Sequence, residues 1–404
     1  MPNPYSEIFR AKGAKGFAAA GFLARMPMAM APIGIVAMLS QAHGEYWLAG
    51  AVSATYALAN ALIAPQISRV VDRVGQSAVL VPTTLVSVIA FSLLILSVNQ
   101  DWPVWTLYAA ALAAAIMPSY PAMIRARWSA LFRNRPELNT AFAFESAADE
   151  LVYIAGASLS VGLSVSLFPE AGMIASTAAL AIGSLAFIAQ RATEPARGPA
   201  MPVSGGSAIR QRPVQIITLA LVFVGMIFAT AEVSAVAITE SLGEPGAAGM
   251  VIGVYAAGSF VVGLIVGAMN IAMPLHRQLA IAIGTVAVTA IPLLFVTTIP
   301  LLAFAVFVSG VAISPTFITA FGLIERRVPA AMLTEGITWV MTGIGIGMAF
   351  GAFTAGWVVD TYGAHNGFWV SVIAGFLALG TVLAGQAQLG GKPACPVAAP
   401  CPAA

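Results

Sequence analysis

The chain has 404 residues, of which 59% are hydrophobic and 8% are charged. Soluble globular proteins carry about 25% charged residues, so this composition excludes a soluble enzyme with a large core and indicates a polytopic membrane protein. The net charge of +2 is too small to favour nucleic acid as a partner.

Twelve apolar segments follow one another along the chain, separated by short polar stretches. Most are long enough to cross a bilayer as a helix, and the absence of period-2 alternation excludes a β-barrel. They lie near 17–40, 47–67, 77–98, 103–124, 140–166, 170–190, 214–239, 248–271, 278–297, 299–322, 332–358 and 366–387. We therefore predict an all-α membrane protein with twelve transmembrane helices.

A polar stretch at 191–213 divides the segments six plus six. It contains four arginines, several prolines and a Ser-Gly-Gly-Ser run, a composition typical of a flexible linker. We predict one six-helix bundle at 1–190, a cytoplasmic linker at 191–213, a second bundle at 214–388 and a disordered tail at 389–404.

Basic residues are distributed asymmetrically between the two sets of loops. With the N-terminus inside, every Lys and Arg except Arg25 falls in the N-terminal tail, the even-to-odd loops, the linker or the C-terminal tail. The opposite loops contain no Lys or Arg. Their charged residues are the acids Glu45, Asp101, Glu170, Glu240, Glu244 and Asp360. The positive-inside rule then predicts cytoplasmic termini and a multi-pass protein of the plasma membrane, the inner membrane of a bacterium.

Few residues have the chemistry of a metal or redox centre. The two cysteines, Cys395 and Cys401, lie in the Pro/Ala-rich tail and form no disulfide framework. The histidines share no metal-ligand spacing and lie in predicted loops: His43, His276 and His365. The first apolar segment is too long for a cleavable signal peptide. We expect no metal and no cofactor.

The fifth segment carries three carboxylates within an otherwise apolar helix. If the helix enters the membrane near residue 140, Asp149 lies about 13 Å deep, near the middle of the hydrocarbon core. Glu145, Asp149 and Tyr153 share one face of that helix. These acids either cap the helix start and pair with cytosolic arginines, or face a cavity and carry protons.

Arg25 is the one basic residue predicted within the membrane, at a similar depth. A central arginine is costly unless paired, and Asp149 or Glu150 is its natural partner; a purely structural pair, or snorkelling to the interface, is the alternative. A buried acid beside an arginine is poised between its charged and neutral forms. This balance is what a proton-coupled carrier requires.

The second half contributes two acids. Glu232, in segment seven, is a candidate proton or substrate site, or an acid at the outer mouth of the protein. Glu335 falls in the first turn of segment eleven, where it either caps the helix or faces the substrate. Trp339 lies one turn deeper. A glycine-rich stretch follows with small-xxx-small spacings that permit close helix approach: Gly343, Gly345, Gly347, Gly351 and Gly356.

Segment one is rich in methionine. Met26 and Met30 offer a polarizable, adaptable surface. We name them as candidate cavity-lining residues for an apolar ligand, although a lipid-facing position would give them no role.

The chain between segments two and three reads Ser-Arg-Val-Val-Asp-Arg-Val-Gly-Gln at 68–76. Asp72, Arg73 and Gly75 fit the Asp-Arg-x-Gly signature of the major facilitator superfamily, whereas Ser68 and Gln76 replace its usual Gly and basic residue. With twelve segments and a basic central linker, the chain resembles that superfamily over about 17–388, and its drug/proton antiporters in particular. The resemblance implies that this loop gates the cytoplasmic side.

The two halves also resemble each other weakly. Segment four ends in a Ser-Tyr-Pro sequence followed by Arg125 and Arg127, and segment ten has Ser-Pro-Thr followed by Arg326 and Arg327. Internal repeats of this kind build transporter sites at the repeat interface. Segment four contains no arginine before Arg125, at its cytoplasmic end.

The predicted function is therefore proton-coupled export of a small, fairly apolar molecule by a monomeric transporter working by alternating access, with Asp149 as the main proton carrier. The alternatives are a proton-coupled importer or facilitator of a small nutrient and, more remotely, a non-transporting receptor on the same fold. The segments contain few Asn or Gln, which argues against a sugar site. No His or Cys lies within them, so we expect no enzyme.

Overall fold

The structure is a computed structural model that describes residues 3–43, 46–196, 206–269 and 271–391. The two tail cysteines, part of the linker, Glu45 and two of the basic residues used for orientation, Arg197 and Lys392, lie outside the described residues. Within the described part, the chain is helical or irregular and contains no strand.

The described residues form seventeen α-helices, which follow one another in chain order. They are α1 Pro4–Ile8, α2 Ala14–Arg25, α3 Pro27–His43, α4 Tyr46–Val74, α5 Gln76–Asn99, α6 Val104–Ala114, α7 Tyr120–Phe132, α8 Glu137–Ser166, α9 Ala171–Ala189, α10 Arg212–Ser241, α11 Ala248–Ala268, α12 Leu275–Thr289, α13 Ile299–Gly310, α14 Ile313–Arg327, α15 Leu333–Tyr362, α16 Phe368–Ala384 and α17 Gln386–Leu389. Short 3-10 turns lie at Arg191–Thr193, Ala208–Arg210, Pro245–Ala247, Ile291–Phe295, Ala330–Met332 and Ala364–Gly367.

The predicted membrane spans are confirmed as helical stretches, with one correction. The stretch Ala14–Ala42 joins α2 and α3, and the stretch Ile299–Arg327 joins α13 and α14. Eleven helical stretches of the described chain are long and apolar enough to cross a membrane. The predicted span at 103–124 is not one helix, because α6 ends at Ala114 and α7 begins at Tyr120. Pro118 and Pro121 explain the break, since proline lacks an N–H and disfavours helical conformation in the residue before it.

The chain divides into two compact units. The first comprises Met1–Glu137 and Ala148–Ser204, and the second Leu138–Ala147 and Gly205–Ala404. The core of the first unit contains the fully buried Trp128 on α7, whose ring packs edge-on against Phe17 of α2 and stacks on Phe132.

The second unit is organised around the contact of α10 with α15. A Cβ on Gly343, Gly347 or Gly351 of α15, or on Gly225 of α10, would overlap backbone atoms of the opposite helix. Four-residue spacing puts the three α15 glycines on one face, which permits the close approach predicted from the sequence. The neighbouring Gly345 faces open space.

In each unit, an arginine donates hydrogen bonds to backbone carbonyls beyond the end of the last long helix. In the first, Arg127 of α7 donates a hydrogen bond to the carbonyl of Gln190, just after α9. In the second, Arg327 of α14 donates to the carbonyls of Leu389 and Gly391, at and after the end of α17. A cation at a helix C-terminus satisfies carbonyls that lack a partner within the helix. The sequence repeat thus corresponds to a structural one.

Candidate functional site

Two arginines and one aspartate meet in the first unit. Arg25 Nη1 lies 2.6 Å from Asp149 Oδ1, and Arg125 Nη2 lies 2.8 Å from Asp149 Oδ2. Both arginines are 1% exposed, whereas the Asp149 side chain is 17% exposed. Each oxygen of one carboxylate therefore binds a different buried guanidinium. We call these three residues the Arg-Asp-Arg triad.

Local structure fixes the two arginines. Arg25 is the last residue of α2, which ends where Pro27 begins α3. Its Nε donates to the carbonyl of Gly21 at 3.3 Å, and Arg125 Nη1 donates to the carbonyl of Pro121 at 3.4 Å. A Cβ on Gly21 would overlap the Ile124 side chain of α7, so this glycine lets α2 and α7 approach closely enough for both arginines to reach one carboxylate.

The pairing of Arg25 with Asp149 predicted from the sequence is confirmed. Arg125, which is predicted at the cytoplasmic end of span four, binds the other oxygen of the same carboxylate. This contact agrees with the alternative interpretation, in which the acids of α8 pair with cytosolic arginines. The sequence predicts Arg125 at the cytoplasmic end of a continuous span four. The proline break instead restarts the helix at Tyr120, which places Arg125 in the second turn of α7. The two prolines were the available signal.

The other acids of α8 flank the triad. Glu145, one turn before Asp149, is fully buried, and Glu150 is half-buried. Tyr153, one turn after Asp149, is 40% exposed. The helix therefore carries three carboxylates within two turns, and the carboxylate of Asp149 bridges the two arginines.

The two methionines named from the sequence lie in an apolar cluster beside the triad. Met26 and Met30 pack with Ala29, Val152 and Ala179 and are themselves buried. Met26 follows Arg25 in the chain, and Val152 lies three residues after Asp149. The surroundings of the triad are thus apolar on this side, which strengthens its electrostatic interactions.

The second unit contains the other predicted acids. Glu232 of α10 lines a small pocket with Tyr255 of α11 and neighbouring apolar side chains. Glu335 lies in the first turn of α15, as predicted, and is buried. It accepts hydrogen bonds from the Ser207 hydroxyl and, at 3.3 Å, from Trp339 Nε1. The indole N–H of Trp339 therefore donates a hydrogen bond to Glu335, one helical turn before it.

The loop motif forms the junction of α4 and α5. Gly75 has a φ of +99°, a backbone conformation that glycine adopts readily and other residues avoid. Asp72 is half-buried and Arg73 is exposed. Gln76, which replaces the usual basic residue, is buried; its amide donates to the Met123 carbonyl at 3.0 Å.

Gln76 also accepts a hydrogen bond from Arg127 Nε at 2.8 Å. Arg127 is fully buried, bonds the Thr193 hydroxyl at 2.9 Å and stacks over the Phe187 ring at 3.8 Å. A second cation at position 76 would be repelled by this guanidinium, whereas an amide oxygen accepts from it. This cluster consists of Gln76, Arg127, Phe187 and Thr193. The sequence did not reveal it, because its members lie far apart in the chain.

Glu194 completes the same end of the first unit. Its carboxylate accepts hydrogen bonds from the Ser77 backbone N–H at 3.0 Å and from the Ser77 hydroxyl at 2.5 Å. It thus caps the N-terminus of α5, where a carboxylate is favoured by the helix dipole. In the described part of the chain, no group of three or more His, Cys, Asp or Glu is arranged to hold a metal ion.

Comparisons with known proteins agree on the fold. The Major Facilitator Superfamily model matches residues 217–388. The human organic anion transporter MFSD10 (TETRAN) is 12% identical, with a TM-score of 0.70 over 91% of this chain and 98% of that chain. A bacterial homologue of the iron transporter ferroportin, in its outward-facing state, is 13% identical, with a TM-score of 0.73 over 92% and 98%. The E. coli fucose:proton symporter FucP is 13% identical, with a TM-score of 0.68 over 92% and 98%.

No curated protein sequence matches the chain. At these identities, the likeness to solved structures concerns the fold alone. The resemblance to the major facilitator superfamily is nevertheless confirmed, by the family model over the second half and by the fold over nearly the whole chain.

Proposed function

We propose that this chain, which has the major facilitator fold, is a proton-coupled secondary transporter of a small molecule and that Asp149 carries the proton. The observation that supports the proposal is the Arg-Asp-Arg triad, in which a partly accessible carboxylate of α8 is bound by buried arginines of α2 and α7. Both α2 and α8 belong to helical stretches long and apolar enough to cross a membrane. Ionisable groups at such positions are costly and mark substrate or proton pathways.

Protonation of Asp149 is a suitable conformational trigger. It removes the one charge that both guanidiniums bind, so α2, α7 and α8 lose two ion pairs in one event. Breaking a buried ion pair costs about 3–5 kcal/mol, and a shift of a two-state equilibrium from 1:99 to 99:1 requires about 5.5 kcal/mol. Loss of the charge on this partly exposed carboxylate, about 3 kcal/mol, would therefore supply a large part of the free energy that alternating access requires.

The direction we propose from the resemblance is export of a small, fairly apolar molecule in exchange for protons. The amide side chains of the spans support an apolar rather than a sugar-like substrate. Asn60 donates its amide hydrogens to the backbone carbonyls of Ala115 and Met117, at 2.9 and 3.2 Å, and so is used structurally. Asn270, which also falls within a predicted span, lies outside the described residues.

Uptake together with protons is the second candidate. The observation that favours it is the second arginine at Asp149, because a pair of guanidiniums binds an anion as readily as it binds this carboxylate. The solved structures named above do not favour either direction, since they are an organic anion transporter, a homologue of an iron transporter and a fucose:proton symporter.

The remaining predicted site residues have additional roles in this proposal. Glu150 and Glu232 would be additional proton sites, and the Asp72, Arg73 and Gly75 junction would gate the cytoplasmic side. We propose a monomer in the inner membrane of a bacterium, with both termini cytoplasmic, on the basis of the charge asymmetry of its loops.

Proton movement in proteoliposomes tests the proposal. The purified protein would be reconstituted with a pH-sensitive dye inside, and amphipathic cations, neutral drugs, sugars and organic acids would be added outside. We expect at least one compound to move protons through the wild type and through Asp360→Asn, a matched change at an exposed position of α15, but not through Asp149→Asn. Compounds that cross without proton movement, equally in all three proteins, would contradict it.

A further inference from the structure

We propose that the surface formed by α2 and α9 binds an anionic phospholipid of the cytoplasmic leaflet. Lys12, Lys15 and Arg191 bind its phosphate, and the apolar residues beyond them contact its acyl chains. The inference goes beyond the proposed function and holds whether or not Asp149 carries protons. Of that proposal it uses only the orientation, which the charge asymmetry of the loops supports.

The two helices pack closely and run in opposite directions. A Cβ on Gly16 would overlap the side chain of Gln190, and a Cβ on Gly183 would overlap the backbone of Ala24. The start of α2 therefore lies beside the end of α9, and the end of α2 lies beside the middle of α9. Small residues at these contacts permit the close approach.

Each helix also has an exposed face. On α2 this face consists of Lys15, Ala19 and Phe22, whose spacing of four and three residues puts them in one row along the helix. On α9 the most exposed side chains of the second half are Ile182 and Leu185, at 60% and 69%. We call Ala19, Phe22, Ile182 and Leu185 the α2–α9 apolar stripe.

The two exposed faces lie on the same side of the helix pair. In each helix an exposed residue comes one position before a residue at the contact, Lys15 before Gly16 and Ile182 before Gly183. One residue corresponds to a rotation of about 100° around the helix axis. Because antiparallel helices turn in opposite senses when viewed from one end, this rotation takes both exposed faces to one side. The stripe is therefore a single surface.

Three cations lie at one end of this surface. Lys12 and Lys15 flank the start of α2, Arg191 follows the end of α9, and all three are exposed. Gly13 has a φ of +85°, and a Cβ there would overlap the Thr193 methyl group. This glycine brings the turn that carries Lys12 against the segment that carries Arg191. Within the residues that the structure describes, the three cations have no ion pair.

Charge and apolar surface together select the ligand. The stretches that contain α2 and α9 are long and apolar enough to cross a membrane, so acyl chains cover the stripe. Lys15 lies seven residues from Phe22, about 10 Å along the helix, which is within one leaflet of a bilayer. Basic sites between transmembrane helices on the cytoplasmic side bind anionic lipid headgroups.

Neighbouring acids leave the positive charge in excess. The acids closest to these cations in the chain are Glu7 and Glu194. Glu194 accepts hydrogen bonds from the backbone N–H and the hydroxyl of Ser77, so it is already engaged at the start of α5. A soluble phosphate would use the cations but leave the stripe without a role. A phospholipid uses both.

Lipid binding to the purified protein in detergent, measured by native mass spectrometry, tests the proposal. The probes are phosphatidylglycerol and phosphatidylcholine with the same acyl chains. We expect the wild type to bind phosphatidylglycerol more tightly. The triple substitution Lys12→Gln, Lys15→Gln and Arg191→Gln should weaken that binding about a hundredfold, since each cation near the membrane surface contributes about fivefold. Equal affinities of the wild type for the two lipids would overturn the proposal.

A charge-matched control separates this site from general attraction to a basic surface. The triple substitution Arg210→Gln, Arg212→Gln and Arg277→Gln removes three exposed cations of the second unit and should leave the affinity for the first phosphatidylglycerol close to that of the wild type. Equal losses in the two triple variants would refute a specific site. Lys12→Arg with Lys15→Arg keeps both charges and should retain binding, so a loss in this variant would also contradict the proposal.

Two further measurements distinguish a lipid from a soluble phosphate. Inorganic phosphate and glycerol phosphate should not displace phosphatidylglycerol at equal concentration, and displacement would assign the cations to a soluble ligand instead. Phe22→Ala with Leu185→Ala shortens the stripe and should weaken the binding several-fold. The matched control, Leu301→Ala with Phe304→Ala, changes two exposed side chains of α13 and should have no effect. Equal affinities of these two double variants would reject the stripe as part of the site.

Discussion

The Arg-Asp-Arg triad predicts an order of stabilities among its substitutions. Asp149→Asn keeps the shape of the side chain but leaves two guanidiniums, each 1% exposed, without their shared counter-charge. Arg125→Gln is milder, because Arg25 still binds the same carboxylate. The aspartate substitution should therefore destabilise the protein more than the arginine substitution does.

The burial of Asp149 and its two arginines determines how much free energy of unfolding each substitution should cost. Removing one partner of a buried ion pair costs about 3–5 kcal/mol, and because Asp149 is 17% exposed, water screens part of the interaction. We therefore expect a loss of about 3 kcal/mol for Asp149→Asn. Arg125→Gln removes one charge-assisted hydrogen bond, and we expect a loss of about 2 kcal/mol.

A double-mutant cycle measures the coupling. With Asn at 149, Arg125→Gln removes one of the two cations that have lost the Asp149 carboxylate, so the double variant should be less destabilised than the sum of the single variants by at least about 1 kcal/mol. Reversible unfolding by SDS in mixed micelles, followed by far-UV circular dichroism, gives the free energies. The buffer should contain no carboxylate, so that no added anion takes the place of Asp149.

The control is Asp360→Asn, an exposed position that should change the free energy of unfolding by less than about 0.5 kcal/mol. Additive losses in the cycle would refute the reasoning, since residues that do not interact contribute independently. A loss for Arg125→Gln as large as that for Asp149→Asn would show that the carboxylate is not shared between the two arginines.

Two further predictions concern helix packing and the second buried arginine. Gly347→Ala should lower the free energy of unfolding by about 1–3 kcal/mol, because the new Cβ overlaps the Val222 carbonyl. Its control is Gly345→Ala, which faces open space and should be neutral or slightly stabilising. Equal effects of the two substitutions would contradict the packing argument. Arg127→Lys should lower the thermal inactivation midpoint, because lysine cannot reproduce the hydrogen bonds and the ring stacking of this guanidinium. Arg277→Lys at an exposed site is its control, and equal midpoints for the two would contradict the structural role of Arg127.

The helices were predictable because the physical signal is local. A membrane-spanning helix requires a long apolar run, and such runs are visible in the sequence whatever the tertiary structure. The exception, the break between α6 and α7, came from two prolines inside an apolar run. The pairing of Arg25 with Asp149 was predictable for a related reason, since an arginine within a span requires a counter-charge and α8 carries the nearby candidates.

The partners of the buried arginines depend on how the helices are rotated and packed. Arg125 lies 24 residues from Asp149 in the chain, and Arg25 lies 124 residues from it. Nothing in the local pattern around Arg125 distinguishes an arginine that faces water at the end of a span from one that faces a carboxylate on another helix. The same applies to Arg127, whose partners include Gln76 and Thr193.

By itself, the sequence determined the membrane class, the helices and the presence of a charged pair, because burial in lipid constrains composition residue by residue. Only the tertiary structure decided that one carboxylate binds two arginines. The close approach of α2 and α7 at Gly21 and the break before α7 bring the second arginine to Asp149. That arrangement turns a predicted ion pair into a carboxylate shared by two arginines.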